Sequence, residues 1–348
     1  MRFETCTSPH IIPNHSVAGV MRQVIYALIP GTLAMTWFFG WGVLVNVILG
    51  ISFAVAFEAA MVALRKRPVL ITLSDSSAVV AGWLLALAIP PLAPFWVILV
   101  GCFFAMVVAK HLYGGLGYNP FNPAMVGYVV VLVSFPRELS LWPAPDGLAN
   151  MALSFWQTWQ AVLFARLPDG LEWDAITRAS PLDIMRDGLV SGQTVGEIRH
   201  SPIFGTFSET GWEWTANLFL LGGLWLIFRR VITWHIPVAM LLSLATIAGV
   251  FWVFDPDQFA SPAFHVFSGA AILGAFFIAT DPVSAATTPL GRIYYGIGIG
   301  VLTYIIRTWG GYPDGVAFAV LLMNMAAPTI DHYTRPRIFG HNRPPGHS

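Results

Sequence analysis

Long apolar runs, separated by short polar breaks, constrain the fold of this chain more than any motif does. Residues 41–64 and 231–254 are two such runs, and each can cross the hydrocarbon core of a bilayer, which takes about 20 mostly apolar residues. Hydrophobic residues make up 56% of the sequence and charged residues only 10%, a balance that excludes a soluble domain. The sequence therefore predicts an all-α integral membrane protein.

The placement of Lys and Arg predicts about ten transmembrane helices. The apolar runs of the first half end at residues 39, 64, 89, 109 and 135, and those of the second half end at residues 228, 254, 278, 306 and 326. With a cytoplasmic N-terminus, the basic residues at 65–67, 110, 229–230, 292 and 335–343 all lie inside, as the positive-inside rule requires. Residues 137–210 are then periplasmic, and both termini are cytoplasmic, in a bacterial inner membrane.

Five spans on each side of a periplasmic insert give the two halves opposite orientations, which is an inverted repeat. We expect a cytoplasmic N-terminal segment, a first five-helix repeat, the periplasmic insert, a second five-helix repeat and a cytoplasmic tail, at residues 1–23, 24–136, 137–210, 211–330 and 331–348. Polar, proline-bearing breaks at 74–77, 114–123 and 280–289 predict broken helices on the inner face. Non-helical backbone at membrane depth must be buried in protein or line a cavity.

Charge and cysteine content exclude some classes of function. The formal net charge is zero, which argues against nucleic acid as a partner. Cys6 and Cys102 are the two cysteines, too few to ligate an iron–sulfur cluster within this chain. No metal site is predicted.

Two acidic residues are candidates for an ion pathway. Glu58 lies well inside the second apolar run, and an ionisable residue within a membrane segment is a functional hypothesis by default. Asp75 lies at the inner polar break 74–77. The alternatives are a neutral, hydrogen-bonded Glu58 that ties two helices together and an Asp75 that caps a helix.

A polar heterocycle could bind at the inner breaks. Asn119, Asn122 and Asp281 would offer amide and carboxylate groups, and the aromatic residues Tyr118 and Phe121 lie beside them in the sequence. Helix capping is the alternative role for these polar side chains.

Four segments, at residues 8–10, 114–124, 279–284 and 326–332, together resemble the NqrB/RnfD family. Its members are the RnfD subunit of the Rnf electron-transport complex and the NqrB subunit of the sodium-pumping NADH:quinone oxidoreductase. The compact insert and fairly short termini favour the Rnf member. The resemblance implies a ten-helix bundle that holds a covalent FMN on the outer side and a non-covalent riboflavin within the bundle, the latter at the inner polar residues.

In the family, the FMN phosphate is esterified to a hydroxyl within a short motif, and Ser180 stands here where the motif has threonine. The matching residues are Asp174, Thr177, Ala179, Pro181 and Leu182. A phosphoester needs only a hydroxyl, so we expect Ser180 to carry the FMN in preference to four other hydroxyls, those of Thr177, Thr194, Thr287 and Thr288. The alternative is that Ser180 and Asp183 begin a capping box.

The resemblance further implies membership of an ion-translocating oxidoreductase complex, in which this chain passes electrons from the FMN to the riboflavin, coupled to Na⁺ or H⁺ transport. Implied partners are a periplasmic flavoprotein subunit, cytoplasmic NAD and iron–sulfur subunits, and a flavin transferase for maturation. Ferredoxin and NAD, the substrates of an Rnf complex, would bind elsewhere, because no dinucleotide-binding pattern occurs in this sequence. The rival classes are a solute channel or transporter, which inverted repeats also build, and a passive scaffold.

Overall fold

A computed structural model describes residues 16–145, 153–168, 170–201, 204–205, 210–312 and 314–335 of the chain, and these are mostly helical. The N-terminal segment that contributes to the family resemblance, residues 8–10, lies outside the described residues. The helices form two groups, separated by an insert of short elements.

The first group contains two long apolar helices and several shorter elements. They are α1 (Val17–Phe39), α2 (Gly42–Leu64), α3 (Val69–Leu73), α4 (Ser77–Ala88), α5 (Phe95–Phe103), a π-helical segment (Phe104–His111) that continues α5, α6 (Pro123–Ser134) and α7 (Pro136–Ser140). Glycines allow α2 and α4 to pack closely. A Cβ atom on Gly50 would lie 2.6 Å from the carbonyl oxygen of Gly82, a separation that only a missing side chain permits.

The insert is more ordered than the loop that the sequence predicts. It holds a two-stranded antiparallel sheet, β1 (Trp142–Pro143) and β2 (Thr177–Arg178), and the helices α8 (Phe155–Phe164), α9 (Trp173–Ile176), α10 (Pro181–Val190) and α11 (Val195–Arg199). The all-α prediction omitted this small sheet, because two-residue strands leave no periodic pattern. A separate apolar cluster that includes Leu182, Met185, Ile198 and Phe264 fixes α10 and α11 against the second group.

The second group contains α12 (Thr210–Phe228), α13 (His235–Phe254), α14 (Pro262–Phe267), α15 (Ala271–Leu273) with a π-helical continuation (Gly274–Ile278), α16 (Pro289–Trp309) and α17 (Val316–Thr334). The break between α14 and α15 interrupts one predicted span. Close packing again depends on glycine, since a Cβ atom on Gly296 in α16 would lie 2.8 Å from the carbonyl oxygen of Ile236 in α13.

Four helices of the described chain are individually long and apolar enough to cross a membrane: α1, α2, α13 and α16. The chain is an integral membrane protein. The other predicted spans correspond to shorter or interrupted helices. For example, α4 and α6 have 12 residues each, about 18 Å of rise, and extended segments would have to complete their crossing.

Helices of the two groups also pack against each other. The first helices, α1 and α12, are in contact, and so are α6 and α17. The inverted repeat itself stays a prediction. The interface between the groups positions the candidate sites.

Candidate functional site

Two cavities lie at the interface between the groups. One has a volume of about 230 Å³ and is lined by α10 of the insert, together with helices of both groups; we call it the insert-side cavity. The other has a volume of about 110 Å³ and is lined by the polar breaks before α6 and α16; we call it the distal cavity.

Ser180 lies at the N-terminus of α10 and lines the insert-side cavity. Pro181 occupies the first helical position, where its missing N–H has no cost. The half-buried Ser180 hydroxyl donates to Asp183 Oδ2 at 2.6 Å and accepts from the Asp183 backbone N–H at 3.3 Å. The capping role considered for Ser180 is therefore present in the structure, at the edge of a cavity.

Burial determines the electrostatics of Asp183, which also lines the insert-side cavity. Removal of the carboxyl from water raises the pKa of Asp183, and the hydrogen bonds with Ser180 oppose that increase only in part. The carboxyl therefore holds a proton more readily than an exposed aspartate does.

The remaining motif residues differ in burial and in whether they line the insert-side cavity. Asp174 and Ala179 are exposed, whereas Pro181 and Leu182 are buried and line the insert-side cavity. Thr177 lies in β2 and donates to the carbonyl of Trp173 at 2.9 Å.

The other candidate hydroxyls lie elsewhere in the molecule. Thr194 caps α11 together with Glu197, while Thr287 and Thr288 donate to Asp331. Among the five hydroxyls weighed from the sequence, only that of Ser180 lines the insert-side cavity.

The distal cavity brings Asn119, Asn122 and Asp281 together, as the sequence predicts for a polar binding site. Asn122 caps α6 by accepting from the Met125 N–H at 3.2 Å. The Asp281 carboxylate accepts from the hydroxyl of Ser284 at 2.6 Å. These residues thus combine a capping role with a position on the cavity wall.

Asn119 has spare hydrogen-bonding capacity. Its Nδ2 donates to the carbonyl of Phe121 at 2.9 Å, but its buried Oδ1 has no hydrogen-bond partner within the part of the chain that the structure describes. A buried amide oxygen without a partner is costly, so this atom favours a ligand that can donate to it.

The structure does not bring the two predicted aromatic residues to the distal cavity. Tyr118 is 73% exposed, and Phe121 is half-buried; neither is among the lining residues. Lys110 and Ser77 do line this cavity, and sequence reasoning assigned no role to either. The sequence feature that could have indicated a role for Lys110 is its position at the end of an apolar run.

Glu58 and Asp75 belong to one hydrogen-bonded chain. Lys110 Nζ lies 2.6 Å from Glu58 Oε1 and donates to Ser77 Oγ at 2.7 Å, and Ser77 Oγ donates to Asp75 Oδ1 at 2.6 Å. His111 Nε2 lies 3.5 Å from the same Glu58 oxygen. Glu58 is thus ion-paired, which differs from the neutral acid considered as its alternative. Asp75 Oδ1 also accepts from the backbone N–H of Ser77, the first residue of α4, at 2.7 Å.

The described residues contain no group of three or more His, Cys, Asp or Glu side chains that could hold a metal ion. The binding capacity of both cavities comes instead from hydroxyl, amide, carboxylate and ammonium groups, with apolar and aromatic walls.

Comparison with known proteins identifies the family. Residues 4–340 match the sequence profile of the NQR2, RnfD, RnfE family. The chain is 51% identical over 348 residues to the D subunit of the ion-translocating oxidoreductase complex of Vibrio atlanticus, covering 98% of this chain and 100% of that protein. It is 51% identical to the corresponding subunit of Aliivibrio salmonicida, covering 99% and 100%, and 52% identical to that of Ectopseudomonas mendocina, covering 99% and 98%. The chain therefore belongs to the NQR2, RnfD, RnfE family, which confirms the resemblance found in the sequence.

Proposed function

We propose that the chain is the D subunit of an Rnf-type ion-translocating oxidoreductase complex and that it passes electrons from a covalent FMN to a riboflavin, coupled to cation transport. The names of the relatives, which match over nearly their full length, support the complex. The observation that carries the flavin assignment is the position of the Ser180 hydroxyl at the edge of the insert-side cavity.

The insert-side cavity has the features that a phosphate-linked flavin requires. Ser180 precedes the ten-residue helix α10, and a helix N-terminus favours a phosphate through its free N–H groups and its dipole. Aromatic side chains that include Trp142, Trp212 and Phe219 line the apolar wall and would suit a planar ring system. A flavin here would supply the electron-carrying chemistry, and the protein would fix its position and potential.

The distal cavity is the proposed riboflavin site. Asn119, Asn122 and Asp281 would hold the ring system, since the unpartnered Asn119 Oδ1 offers an acceptor and Asp281 offers a second. Tyr118 and Phe121, which the resemblance also suggested, would contact the riboflavin only after a change in the loop before α6.

One hydrogen bond connects the walls of the two cavities. Ile278 lines the insert-side cavity, and its carbonyl accepts from Asn122 Nδ2 at 3.3 Å, while Asn122 lines the distal cavity. Groups held in the two cavities would thus face each other across a thin protein wall. This arrangement supports electron transfer between them.

The proposal includes an ion pathway through Glu58 and Asp75, with Na⁺ or H⁺ as the coupling ion. Lys110 links the carboxylates to the distal cavity, because its Nζ binds Glu58 and Ser77 and the residue lines that cavity. With the insert in the periplasm, the partners would be a periplasmic flavoprotein subunit, cytoplasmic NAD and iron–sulfur subunits and, during maturation, a flavin transferase.

The test is covalent flavin fluorescence of the full chain in a denaturing gel. We expect the unmodified chain and Ser180→Thr to fluoresce under ultraviolet light and Ser180→Ala to be dark. Ser140→Ala is the matched control, since Ser140 also lines the insert-side cavity, and it should fluoresce. Fluorescence that persists in Ser180→Ala would place the bond elsewhere, first at Thr177. A solute channel would show no fluorescence in any variant.

A further inference from the structure

Asp183 touches the atom that flavin attachment would modify. Its Oδ2 accepts the Ser180 hydroxyl proton across a separation of 2.6 Å, within the range expected of a general base. The backbone N–H of Asp183 donates to Ser180 Oγ, and a hydrogen bond from the Ser180 backbone also acts on the Asp183 carboxyl, as in a capping box. Asp183 thus caps α10 and at the same time contacts the hydroxyl that would be modified.

Two charged neighbours act on this carboxyl in opposite directions, since Asp187 raises its pKa and Arg186 lowers it. Asp314 lines the same cavity but is paired with Arg307 at 3.0 Å. Arg186, on the next turn of α10, donates to the carbonyl of Gly311 at 2.9 Å. Asp187 is exposed to solvent.

A serine hydroxyl is a weak nucleophile until a base removes its proton. We propose that Asp183 is the general base of flavin attachment, so that the acceptor chain supplies this group rather than the transferase. The inference rests on the proposed function, since it presumes that Ser180 carries the flavin.

The reaction balances with a flavin nucleotide whose flavin phosphate is joined to a second phosphate. Ser180 Oγ forms a bond to the flavin-bearing phosphorus, and the pyrophosphate P–O bond breaks. A nucleoside monophosphate leaves with the electron pair of that bond. The proton of the Ser180 hydroxyl moves to Asp183 Oδ2, and no group is oxidised or reduced.

The local environment suits both the start and the end of this step. Because burial favours the protonated carboxyl, Asp183 can keep the proton that it receives. A neutral Asp183 would then lie beside the new phosphoester without charge repulsion and could donate a hydrogen bond to it. An aspartate that stayed ionised would oppose the phosphate at the same position.

The experiment measures the first-order rate constant of covalent flavin incorporation. The full-length chain in detergent is mixed with a purified flavin transferase and flavin adenine dinucleotide, and in-gel fluorescence is followed over time. Asp183→Asn keeps the shape of the side chain and an acceptor oxygen but takes up no proton at neutral pH. Asp187→Asn, one turn further along α10, is the matched control.

We expect Asp183→Asn to slow incorporation by at least about 100-fold, the lower end of what a general base contributes, while Asp187→Asn keeps the rate of the unmodified chain. Asp183→Asn should still reach the same final extent of labelling, which shows that the chain is folded. A smaller slowing, or a lower final extent at an unchanged rate constant, would overturn the assignment of the base. If the unmodified chain takes up no label, or if Ser180→Ala takes it up equally well, the proposed function itself fails.

Discussion

Replacing Lys110 with Met would remove the cation from a buried ion pair. The Lys110 and Glu58 side chains are 2% and 1% exposed, so water cannot replace the lost partner. Breaking a buried pair on one side costs about 3–5 kcal/mol. His111 remains 3.5 Å from Glu58 and can compensate in part, so we expect a loss near the lower limit, about 3 kcal/mol.

The double variant separates the effect of charge from that of packing. Glu58→Gln alone leaves a buried, unpaired ammonium that keeps its bond to Ser77, and we expect a loss of about 3 kcal/mol. Combining Glu58→Gln with Lys110→Met leaves no buried charge at either position. The double variant should therefore lose about 2 kcal/mol less than the sum of the two single variants, within the range of coupling energies for contacting residues.

The assay is the free energy of unfolding in mixed detergent micelles, measured for the unmodified chain, both single variants and the double variant. Lys66→Met is the control, since Lys66 is exposed just beyond α2, and it should change stability by no more than about 0.5 kcal/mol. Losses that simply add, or a loss below about 1 kcal/mol for Lys110→Met, would refute the claim that the pair is charged and coupled.

Four further outcomes are expected. Asn122→Leu should lower the yield of solvent-extractable riboflavin and leave covalent flavin unchanged; an unchanged riboflavin yield would remove Asn122 from the site. A reporter protein fused after Ala165 should behave as periplasmic and one fused after Arg343 as cytoplasmic, and the opposite pattern would overturn the orientation. The pKa of Asp183 is raised in the folded chain, so at pH values just above the ordinary pKa of aspartate the folded insert binds more protons than the unfolded chain. The stability of the insert should therefore fall as the pH rises through this range. Hydrogen bonds from Thr194 lower the pKa of Glu197, so its contribution should instead be lost as pH falls below the ordinary value. Both effects can be measured as the pH dependence of the stability of α10 and α11, by hydrogen exchange corrected for intrinsic rates. The fall of stability with rising pH should disappear in Asp183→Asn, and the loss of stability with falling pH should disappear in Glu197→Gln. A pH dependence that persists in these variants would refute the assignments.

The sequence predicted the features that depend on local composition. Apolar runs mark α1, α2, α13 and α16, since hydrocarbon thickness fixes the length of a spanning helix. The short motifs placed Asn119, Asn122 and Asp281 on one cavity, because each lies in a proline-bearing break, where polar backbone groups need a buried or cavity-lining position.

Features that depend on long-range packing were not predictable. Lys110 and Glu58 are 52 residues apart in the sequence and meet only because the π-helical continuation of α5 packs against α2. The exposure of Tyr118 depends on the path of the glycine-rich loop before α6, where Gly114 has a φ of 130° and Gly117 a φ of 90°. Such left-handed conformations direct the chain in ways that residue order alone does not specify.

In the proposed mechanism, Lys110 connects the riboflavin site to the ion pathway. This connection predicts the direction in which the reduction potential of the riboflavin should change. The residue lines the distal cavity, whereas Glu58, its partner, is not among the lining residues. Glu58→Gln leaves the positive charge of Lys110 uncompensated beside the cavity, and this should raise the reduction potential of the bound riboflavin. Adding Lys110→Met removes that charge, and the potential should fall again by at least about 30 mV, a tenfold change in the equilibrium constant of a two-electron couple. Redox titration of the extracted complex measures both shifts, with the covalent flavin as an internal reference. If the riboflavin is retained and its potential is the same in both variants, Lys110 does not link the redox site to the ion pathway.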